Sequence, residues 1–198
     1  MQKRSKETRD LILKVALDLF SRTGFEATSV AEICQAAGVS KGAFYHHFST
    51  KQVVFMELLD TWLKLLEEQM KVIQEESKNV PHAILTMAGL LEQVFQQASG
   101  RLPMFLEFWT QASHDPIVWQ ALIDPYQRYQ EYFKELIKAG ITEGSIKYKD
   151  PEAASRALVA MGVGLLLMGV LEPRMESRIR LPTESIKILL DGLVFGQG

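Results

Sequence analysis

Apolar residues recur with helical spacing along nearly the whole chain, and the alternation expected of a half-buried strand is almost absent. Proline and glycine positions divide this pattern into segments, because proline suits helix starts and blocks helix interiors. We predict helices over 7–23, 28–37, 40–47, 50–76, 82–98, 102–113, 116–143, 151–171 and 182–195. Pro125 and Gly140 are expected to kink or split the segment 116–143. The predicted fold class is therefore all-α, with about nine helices.

Polar residues mark the helix ends in the first third of the chain. Ser29 and Glu32 have the spacing of a capping box, and Gly38 is suited to the turn that ends the same helix. Ser40 and Thr50 are fitting N-caps for the next two helices. The helix after Thr50 is long, so we expect no flexible linker between the N-terminal bundle and the remainder.

Composition and charge suggest which part of the chain meets a polyanion. The chain has 198 residues, 47% of them apolar and 23% charged, as in a soluble globular protein. Its formal net charge is −2, yet residues 1–51 hold eight basic and five acidic side chains. A basic N-terminal segment followed by an acidic remainder predicts that only the N-terminal segment binds nucleic acid.

Residues 28–48 have the layout of a helix-turn-helix motif, which needs two short helices, a tight turn and an exposed second helix. Ala36 and Ala37 are small enough for close helix packing, and Gly38 permits a left-handed turn. Val39 supplies an apolar contact between the helices. The motif predicts a three-helix DNA-binding bundle at the N-terminus.

The predicted second helix carries side chains that suit DNA. Lys41 can neutralise a phosphate or donate to guanine, and Gly42 lets a backbone or base approach closely. Tyr45 and His46 place polar tips outward, and Lys51 can contact a phosphate from the start of the long helix. Upstream, Lys3, Arg4 and Lys6 are expected to form a flexible arm.

The run Gly24–Phe55 resembles the N-terminal signature of the TetR family of transcriptional regulators. The match covers about residues 5–60 and includes Phe25, Ile33, the segment 37–40, Tyr45 with Phe48, and Lys51. The resemblance implies a DNA-binding domain over 1–50 and a helical effector-binding and dimerisation domain over 51–198. It also implies that DNA contacts come from Thr28, Ser29, Ser40, Lys41, Gly42, Tyr45, His46, His47 and Lys51. His46 departs from the aromatic residue common at its position, which leaves the operator sequence open.

Large adaptable apolar side chains are concentrated in the middle of the chain. Methionines and aromatic residues together suit a ligand cavity, although each of them could equally be plain core. The resemblance places an effector pocket here. The predicted ligand-binding residues are Trp62, Leu66, Met87, Leu91, Phe95, Phe105, Phe108, Trp109 and Tyr129.

The last two predicted helices, 151–171 and 182–195, are strongly apolar. Gly162, Gly164 and Gly169 would let another helix approach closely. By resemblance these helices form a homodimer interface, and reading a palindromic double-stranded operator requires such a dimer. Alternatively, both helices complete the core of one protomer. The apolar run 157–171 is shorter than the roughly 20 residues that span a bilayer, so no membrane contact is expected.

No catalytic constellation, metal-ligand spacing or phosphate-binding loop is recognisable in the sequence. We expect no cofactor and no enzyme activity. The polar N-terminus and the single cysteine indicate a cytoplasmic protein without a signal peptide. The function predicted is a transcriptional repressor released from its operator by a small apolar or amphipathic effector. Two alternatives are an all-helical ligand-binding or enzymatic protein with an inert N-terminal bundle, and a membrane-associated helical protein.

Overall fold

The computed structural model describes residues 2–97, 112, 114–171 and 181–195. Within these ranges the chain forms eight α-helices and no strand, which confirms the all-α prediction. They are α1 (Gln2–Thr23), α2 (Val30–Ala37), α3 (Lys41–His47), α4 (Lys51–Glu76), α5 (Val80–Gln97), α6 (Pro116–Thr142), α7 (Pro151–Leu171) and α8 (Leu181–Phe195).

Two of the predicted segments differ from the helices observed. The predicted segment 116–143 forms one continuous helix with Pro125 inside it, so of the two predicted outcomes, a kink or a split, the split is wrong. A proline removes only one backbone donor from a long helix, and the side chain of Pro125 is buried. Helix α1 begins at Gln2, so Lys3, Arg4 and Lys6 extend a helix and do not form a flexible arm. The predicted helix 102–113 lies outside the described residues apart from Ala112.

The predicted caps are present at the ends of the short helices. The Ser29 side chain accepts from the Glu32 backbone, and the Glu32 carboxylate accepts from the Ser29 backbone, which completes the capping box. Gly38 is left-handed at φ 63°, and Val39 N–H donates to the Cys34 carbonyl over 3.0 Å. These local interactions fix where the turn between α2 and α3 lies.

The described residues divide into two compact units that do not follow the predicted boundary at residue 50. The first unit contains residues 2–64 with 112 and 114–119, and the second contains 65–97, 120–171 and 181–195. Two helices belong partly to each unit, because α4 changes unit after Lys64 and α6 after Trp119. The start of α4 is therefore part of the DNA-binding unit.

Aromatic side chains form the core of the first unit. The Phe25 ring lies 4.5 Å from that of Phe55 and 5.3 Å from that of Phe20, measured between centroids. Phe44 of α3 is fully buried, and Phe48 directly after α3 is almost so. Because α1, α3 and α4 all contribute to this core, burial of these rings holds α3 in place.

The core of the second unit is mainly aliphatic and draws on α4, α5, α6, α7 and α8. Gly140 of α6 is required by this packing, since a Cβ there would lie 2.7 Å from Ile146 Cδ1 and 3.1 Å from Val80 Cβ. Helix α8 contributes three buried side chains to the core, Ile186, Leu190 and Leu193.

Candidate nucleic-acid interface and effector unit

The exposed face of α3 begins with three residues free of close packing. Ser40 is the N-cap, and its hydroxyl accepts from Ala43 N–H over 3.1 Å, a bond that does not use the hydroxyl proton. Lys41 and Gly42 follow in the first turn, both exposed. A Cβ built on Gly42 would meet only Ser40 Oγ, at an ordinary 3.7 Å. The protomer itself therefore does not require glycine at position 42.

Three further predicted contacts lie along the same short helix. Tyr45 is 54% exposed, with its ring packed edge-on against the buried Phe44 at 5.4 Å. His46 is exposed and His47 is half-buried, with their ring centroids 5.1 Å apart. This helix thus presents a hydroxyl, an ammonium, a phenol and imidazole groups while its apolar side is anchored.

Thr28, one of the predicted DNA contacts, is only 2% exposed. Its hydroxyl donates to the Gly24 carbonyl over 2.7 Å and lies 2.8 Å from the Thr23 hydroxyl. A phosphate oxygen needs an outward-facing donor, and this hydroxyl faces inward. The structure therefore gives the Thr28 side chain a role in joining α1 to α2, which is at odds with a direct contact to DNA.

Ser29 is exposed, but its hydroxyl proton is already used. The hydroxyl donates to Glu32 Oε2 over 2.7 Å, and the Ser29 backbone N–H reaches the same oxygen over 2.7 Å. These bonds, the backbone one first, hold the pKa of the Glu32 carboxyl below its usual range. Ser29 could donate to DNA only by giving up this bond to a carboxylate, so the structure does not favour the predicted contact.

Lys51 is half-buried and its ammonium faces the loop before α2. Nζ donates to the Phe25 carbonyl over 2.6 Å and to the Glu26 carbonyl over 3.3 Å. It also lies 4.2 Å from the centroid of the Phe25 ring, a cation–π distance. The ammonium that was predicted to contact a phosphate therefore already donates hydrogen bonds within the chain.

Two polar links in the first unit have no signal in the sequence pattern. Arg9 forms an ion pair with Glu57, and its guanidinium carbon lies 5.1 Å from the centroid of the Phe48 ring. Gln52 Nε2 donates to Asp115 Oδ2 over 2.8 Å. This bond is the main reason why the pKa of Asp115 lies below its ordinary value, with the Ile117 backbone bond second.

The predicted effector residues are only partly brought together. Met87 is buried in the core of the second unit, and Leu66 and Tyr129 pack against that core. Leu91 is half-buried, while the half-buried Trp62 belongs to the first unit. Phe105, Phe108 and Trp109 lie outside the described residues, as does the side chain of Phe95.

Polar groups stand beside Leu66 and Tyr129 in the second unit. Glu67 Oε1 is buried and lies 3.2 Å from Arg128 Nη2, without the alignment of a hydrogen bond. Burial, and then the charge of Glu67, raise the pKa of the Tyr129 phenol. Burial also raises the pKa of Tyr132 to about 12, and its hydroxyl donates to Gln74 over 2.8 Å. These phenols stay neutral and can donate hydrogen bonds at physiological pH.

Helices α7 and α8 leave apolar side chains exposed. Leu167 and Met168 of α7 are each nearly half exposed, and Ile188 of α8 is 75% exposed. Helix α7 is also long and apolar enough to cross a membrane by length and composition, with a mean hydropathy of 1.3 over Pro151–Met168. Only 28% of that window is buried, and its exposed residues include Leu167 and Met168.

The described ranges contain no cluster of three histidine, cysteine, aspartate or glutamate side chains able to hold a metal ion. Cys34 is buried in the first unit. The candidate binding features described are therefore two surfaces. The surface on α3 is polar and partly basic, and the surface on α7 and α8 is apolar.

Two family models match this chain, one over its N-terminal part and one over its C-terminal part. The family model for bacterial regulatory proteins of the tetR family matches residues 12–58. A second family model, the C-terminal part of BetI-type transcriptional repressors, matches residues 86–193, more than half of the chain. The first match covers the second half of α1, all of α2 and α3, and the start of α4. The second begins within α5 and ends within α8.

Individual relatives span nearly the whole chain. The HTH-type transcriptional regulator QacR of Staphylococcus aureus is 26% identical over 193 residues, which cover 93% of this chain and 97% of QacR. A TetR transcription regulator from Haloarcula marismortui has a TM-score of 0.85 at 17% identity, covering 96% and 99% of the two chains. A protein described as a transcriptional regulator from Saccharomonospora viridis, solved in complex with choline, has a TM-score of 0.78 at 20% identity, covering 94% and 96%. The chain belongs to the TetR family of bacterial transcriptional regulators.

Proposed function

We propose that the protein is a repressor that binds a palindromic operator as a homodimer and is released by a small apolar or amphipathic effector. The observation that carries the DNA-binding part is the exposed face of α3. Gly42 has room for a side chain within the protomer but carries none, and it stands between Ser40, Lys41 and Tyr45, which can donate to phosphates or base edges. An inert bundle would need neither feature.

The contact set that we propose is smaller than the sequence predicts. It consists of Ser40, Lys41, Gly42, Tyr45, His46 and His47, which lie on α3 or cap it, and of Lys51. Lys51 stays in the set because its two bonds to carbonyls leave one N–H and the charge of the ammonium for a phosphate. Thr28 and Ser29 are left out because their hydroxyls already donate inside the protomer. At the start of α2 the capping box engages the Ser29 and Glu32 backbone N–H groups, so on this proposal a phosphate would bind the N–H groups of Val30 and Ala31.

The dimer part of the proposal is supported by exposed apolar side chains. On α7 they recur every three or four residues, so they form one stripe. On α8, Ile188 is exposed between Lys187 and Asp191. A second copy of the chain covers both surfaces in this proposal, and a bilayer does not. The stripe on α7 consists of Ala153, Ala157, Ala160, Gly164, Leu167 and Met168.

Effector coupling is proposed to use the helices that belong to both units. Helix α4 carries Lys51 and Val54 in the first unit and Leu66 and Met70 in the second. An effector that binds best when α4 is displaced would change the separation of the two α3 helices in the dimer. They would then no longer fit successive major grooves, which lie about 34 Å apart. The Saccharomonospora neighbour was solved with choline, a small quaternary ammonium alcohol, which supports a small-molecule effector.

A cytoplasmic location and the lack of a catalytic role complete the proposal. Membership of a bacterial transcription regulator family supports both. Substrate turnover would contradict the second.

The experiment that tests the function is selection of bound sequences from random duplex DNA, followed by affinity measurements at several salt concentrations. We expect a palindromic site bound at least about a thousandfold more tightly than random DNA. Equal affinity for selected and random duplexes would contradict operator recognition. Compounds that lower the affinity for the selected site would then identify the effector class.

A further inference from the structure

The guanidinium of Arg9 contacts two parts of the first unit that lie far along the chain. It forms a hydrogen bond and an ion pair with the Glu57 carboxylate on α4, one to each oxygen. Its central carbon also lies 5.1 Å from the centroid of the Phe48 ring. We name this arrangement the Arg9 bridge: the Arg9 guanidinium, the Glu57 carboxylate and the Phe48 ring. One side chain of α1 thereby connects α4 with the end of α3.

The bridge depends on the shape of the guanidinium as well as on its charge. Two N–H groups in one plane face the two carboxylate oxygens, a bidentate pairing that arginine forms and lysine does not. A guanidinium also stacks on an aromatic ring. The side chains of Arg9 and Glu57 are 41% and 23% exposed, so solvent screens the pair only in part. Arginine therefore fixes a geometry here, and lysine would supply only the charge.

Phe48 is the residue through which the bridge reaches α3. It is the C-cap of this helix, its backbone N–H donates to the Phe44 carbonyl over 2.9 Å, and it is only 1% exposed. The centroids of the Phe44 and Phe48 rings lie 5.9 Å apart, so both rings belong to the packing behind the exposed face. Helix α3 has only seven residues. In so short a helix, a shift of the Phe48 ring changes the direction in which Tyr45 and His46 project.

We propose that Arg9 is a positioning residue for operator discrimination. Glu57 holds the guanidinium, the guanidinium holds the Phe48 ring, and the ring fixes the end of α3 against α1 and α4. Discrimination between base sequences requires that side chains meet base edges in one orientation, whereas attraction to phosphates tolerates several. Loss of the bridge therefore lowers the advantage of the correct operator more than it lowers binding to random DNA. This inference rests on the proposed operator binding and adds no residue to the proposed DNA contacts.

A second arginine on the same helix provides a matched comparison. Arg22 forms an ion pair with Asp18 one turn away, and the two side chains are 74% and 54% exposed. An exposed pair of this kind contributes little to stability. The bridge variants are Glu57→Gln and Arg9→Lys, and their controls are Asp18→Asn and Arg22→Lys. Each control changes the net charge of the first unit in the same way as its bridge variant.

The test compares the two bridge variants with their controls in the full-length chain. Dissociation constants for the selected operator and for random duplex DNA are measured across a range of salt concentrations, well below the melting temperature of each variant. Operator discrimination is the ratio of the two constants. Without DNA, NMR follows the ring protons of Phe48 and the amide exchange of residues 44–48. If the wild-type protein binds no sequence preferentially, the proposed function fails, while the NMR measurements still test the bridge.

For Glu57→Gln we expect operator discrimination to fall roughly tenfold, about the effect of one mismatched base pair. Binding to random DNA should stay equal or tighten, because a negative charge has been removed from the DNA-binding unit. Arg9→Lys should also lose discrimination, with the salt slope of the wild type because the charge remains. In both variants the Phe48 ring resonances should shift and exchange of residues 44–48 should accelerate. Both controls should match the wild type in discrimination and in the NMR measurements.

The proposal is overturned if either bridge variant, while folded, keeps the operator discrimination of the wild type. A fall in melting temperature alone would then mean that the bridge only stabilises the fold. If Arg9 acted instead by contacting a phosphate, Glu57→Gln would tighten binding to operator and random DNA alike and leave discrimination unchanged. Equal losses in the controls would also overturn the proposal, since net charge would then explain them. Two bridge variants are used so that if one does not fold, the other decides.

Discussion

The outer face of α3 and the outer faces of α7 and α8 are all exposed, but the first is polar and the others are apolar. On α3, donors and charges project outward while Phe44 holds the helix from behind. On α7 and α8, small and aliphatic side chains project outward, with Ile188 the most exposed large apolar residue described. Hydrated polar groups are stable in water before a polyanion binds, whereas on the proposed function the exposed apolar groups are covered by a second copy of the chain.

The largest expected effect is the loss of stability when a charge is placed at Leu190 of α8, compared with the same charge at Ile188. Leu190 is 4% exposed in the core of the second unit, although the family resemblance assigned the helix that carries it to the homodimer interface. Leu190→Glu would bury a carboxylate without a partner and should cost about 3–5 kcal/mol of stability. Thermal melting should show loss of the cooperative transition of the second unit at physiological temperature.

Ile188→Glu is the matched control, since the same charge is placed on the exposed side of the same helix. We expect a folded protein that light scattering identifies as a monomer, with a melting temperature that no longer depends on concentration. Operator affinity should fall because a single half-site contact remains. A stable Ile188→Glu dimer would show that α8 is not covered by a second copy.

An intermediate effect is expected from Gly42→Ala at the start of α3. Within the protomer the new methyl group meets only Ser40 Oγ at 3.7 Å, and alanine favours a helix over glycine by up to about 1 kcal/mol. Thermal stability should stay equal or rise. Operator affinity should fall by about 1–3 kcal/mol, the usual effect of losing one close contact.

Gly89→Ala on α5 serves as the comparison, because a Cβ there also meets nothing within 4 Å and the helix belongs to the second unit. It should leave operator affinity unchanged in the absence of effector. Wild-type affinity in Gly42→Ala would mean that DNA does not approach α3 at this point, and the contact set would need to be redrawn.

The smallest effect concerns the pH dependence of Asp115. The pKa of this carboxyl is depressed in the folded state, first by the Gln52 bond and then by the Ile117 backbone bond. A depressed pKa stabilises the fold above the ordinary aspartate value of about 3.9, and this contribution is lost as pH falls through the folded value. Gln52→Leu should raise the pKa of Asp115 towards that ordinary value. Carboxyl NMR titration measures this directly, and an unchanged titration would mean that the bond does not form in solution.

Local signals in the sequence were sufficient for the fold and for the face of α3. The capping box, the Gly38 turn and the Ser40 cap each depend on residues within five positions of one another, so spacing alone predicts them. The packing of Phe44 and Phe48 follows from the same helical spacing. The TetR resemblance rested on these residues and was confirmed.

What the sequence could not supply depends on partners far apart in the chain. The carbonyls that engage Lys51 leave no mark on spacing, because every residue has a carbonyl. The inward orientation of the Thr28 hydroxyl could not be predicted from the sequence pattern either, since its partners are a carbonyl and another threonine. On α8, hydropathy could not distinguish Ile188 from Leu190, because both are aliphatic and only the position of the core separates them.

The assignment of α4 to both units has a consequence for protein engineering. A DNA-binding fragment cut at residue 50 would lack Lys51, whose ammonium donates to the Phe25 and Glu26 carbonyls, and Glu57, the partner of Arg9. It would also remove the buried Val54 and Phe55 from the core of the first unit. A chimeric regulator that borrows this operator specificity should therefore keep the chain through Lys64, where the first unit gives way to the second. Residues 114–119 return to the first unit, so the Asp115 partner of Gln52 must be grafted as well. The unit to be transferred is discontinuous in the chain, so exchange of the N-terminal residues alone would not transfer it.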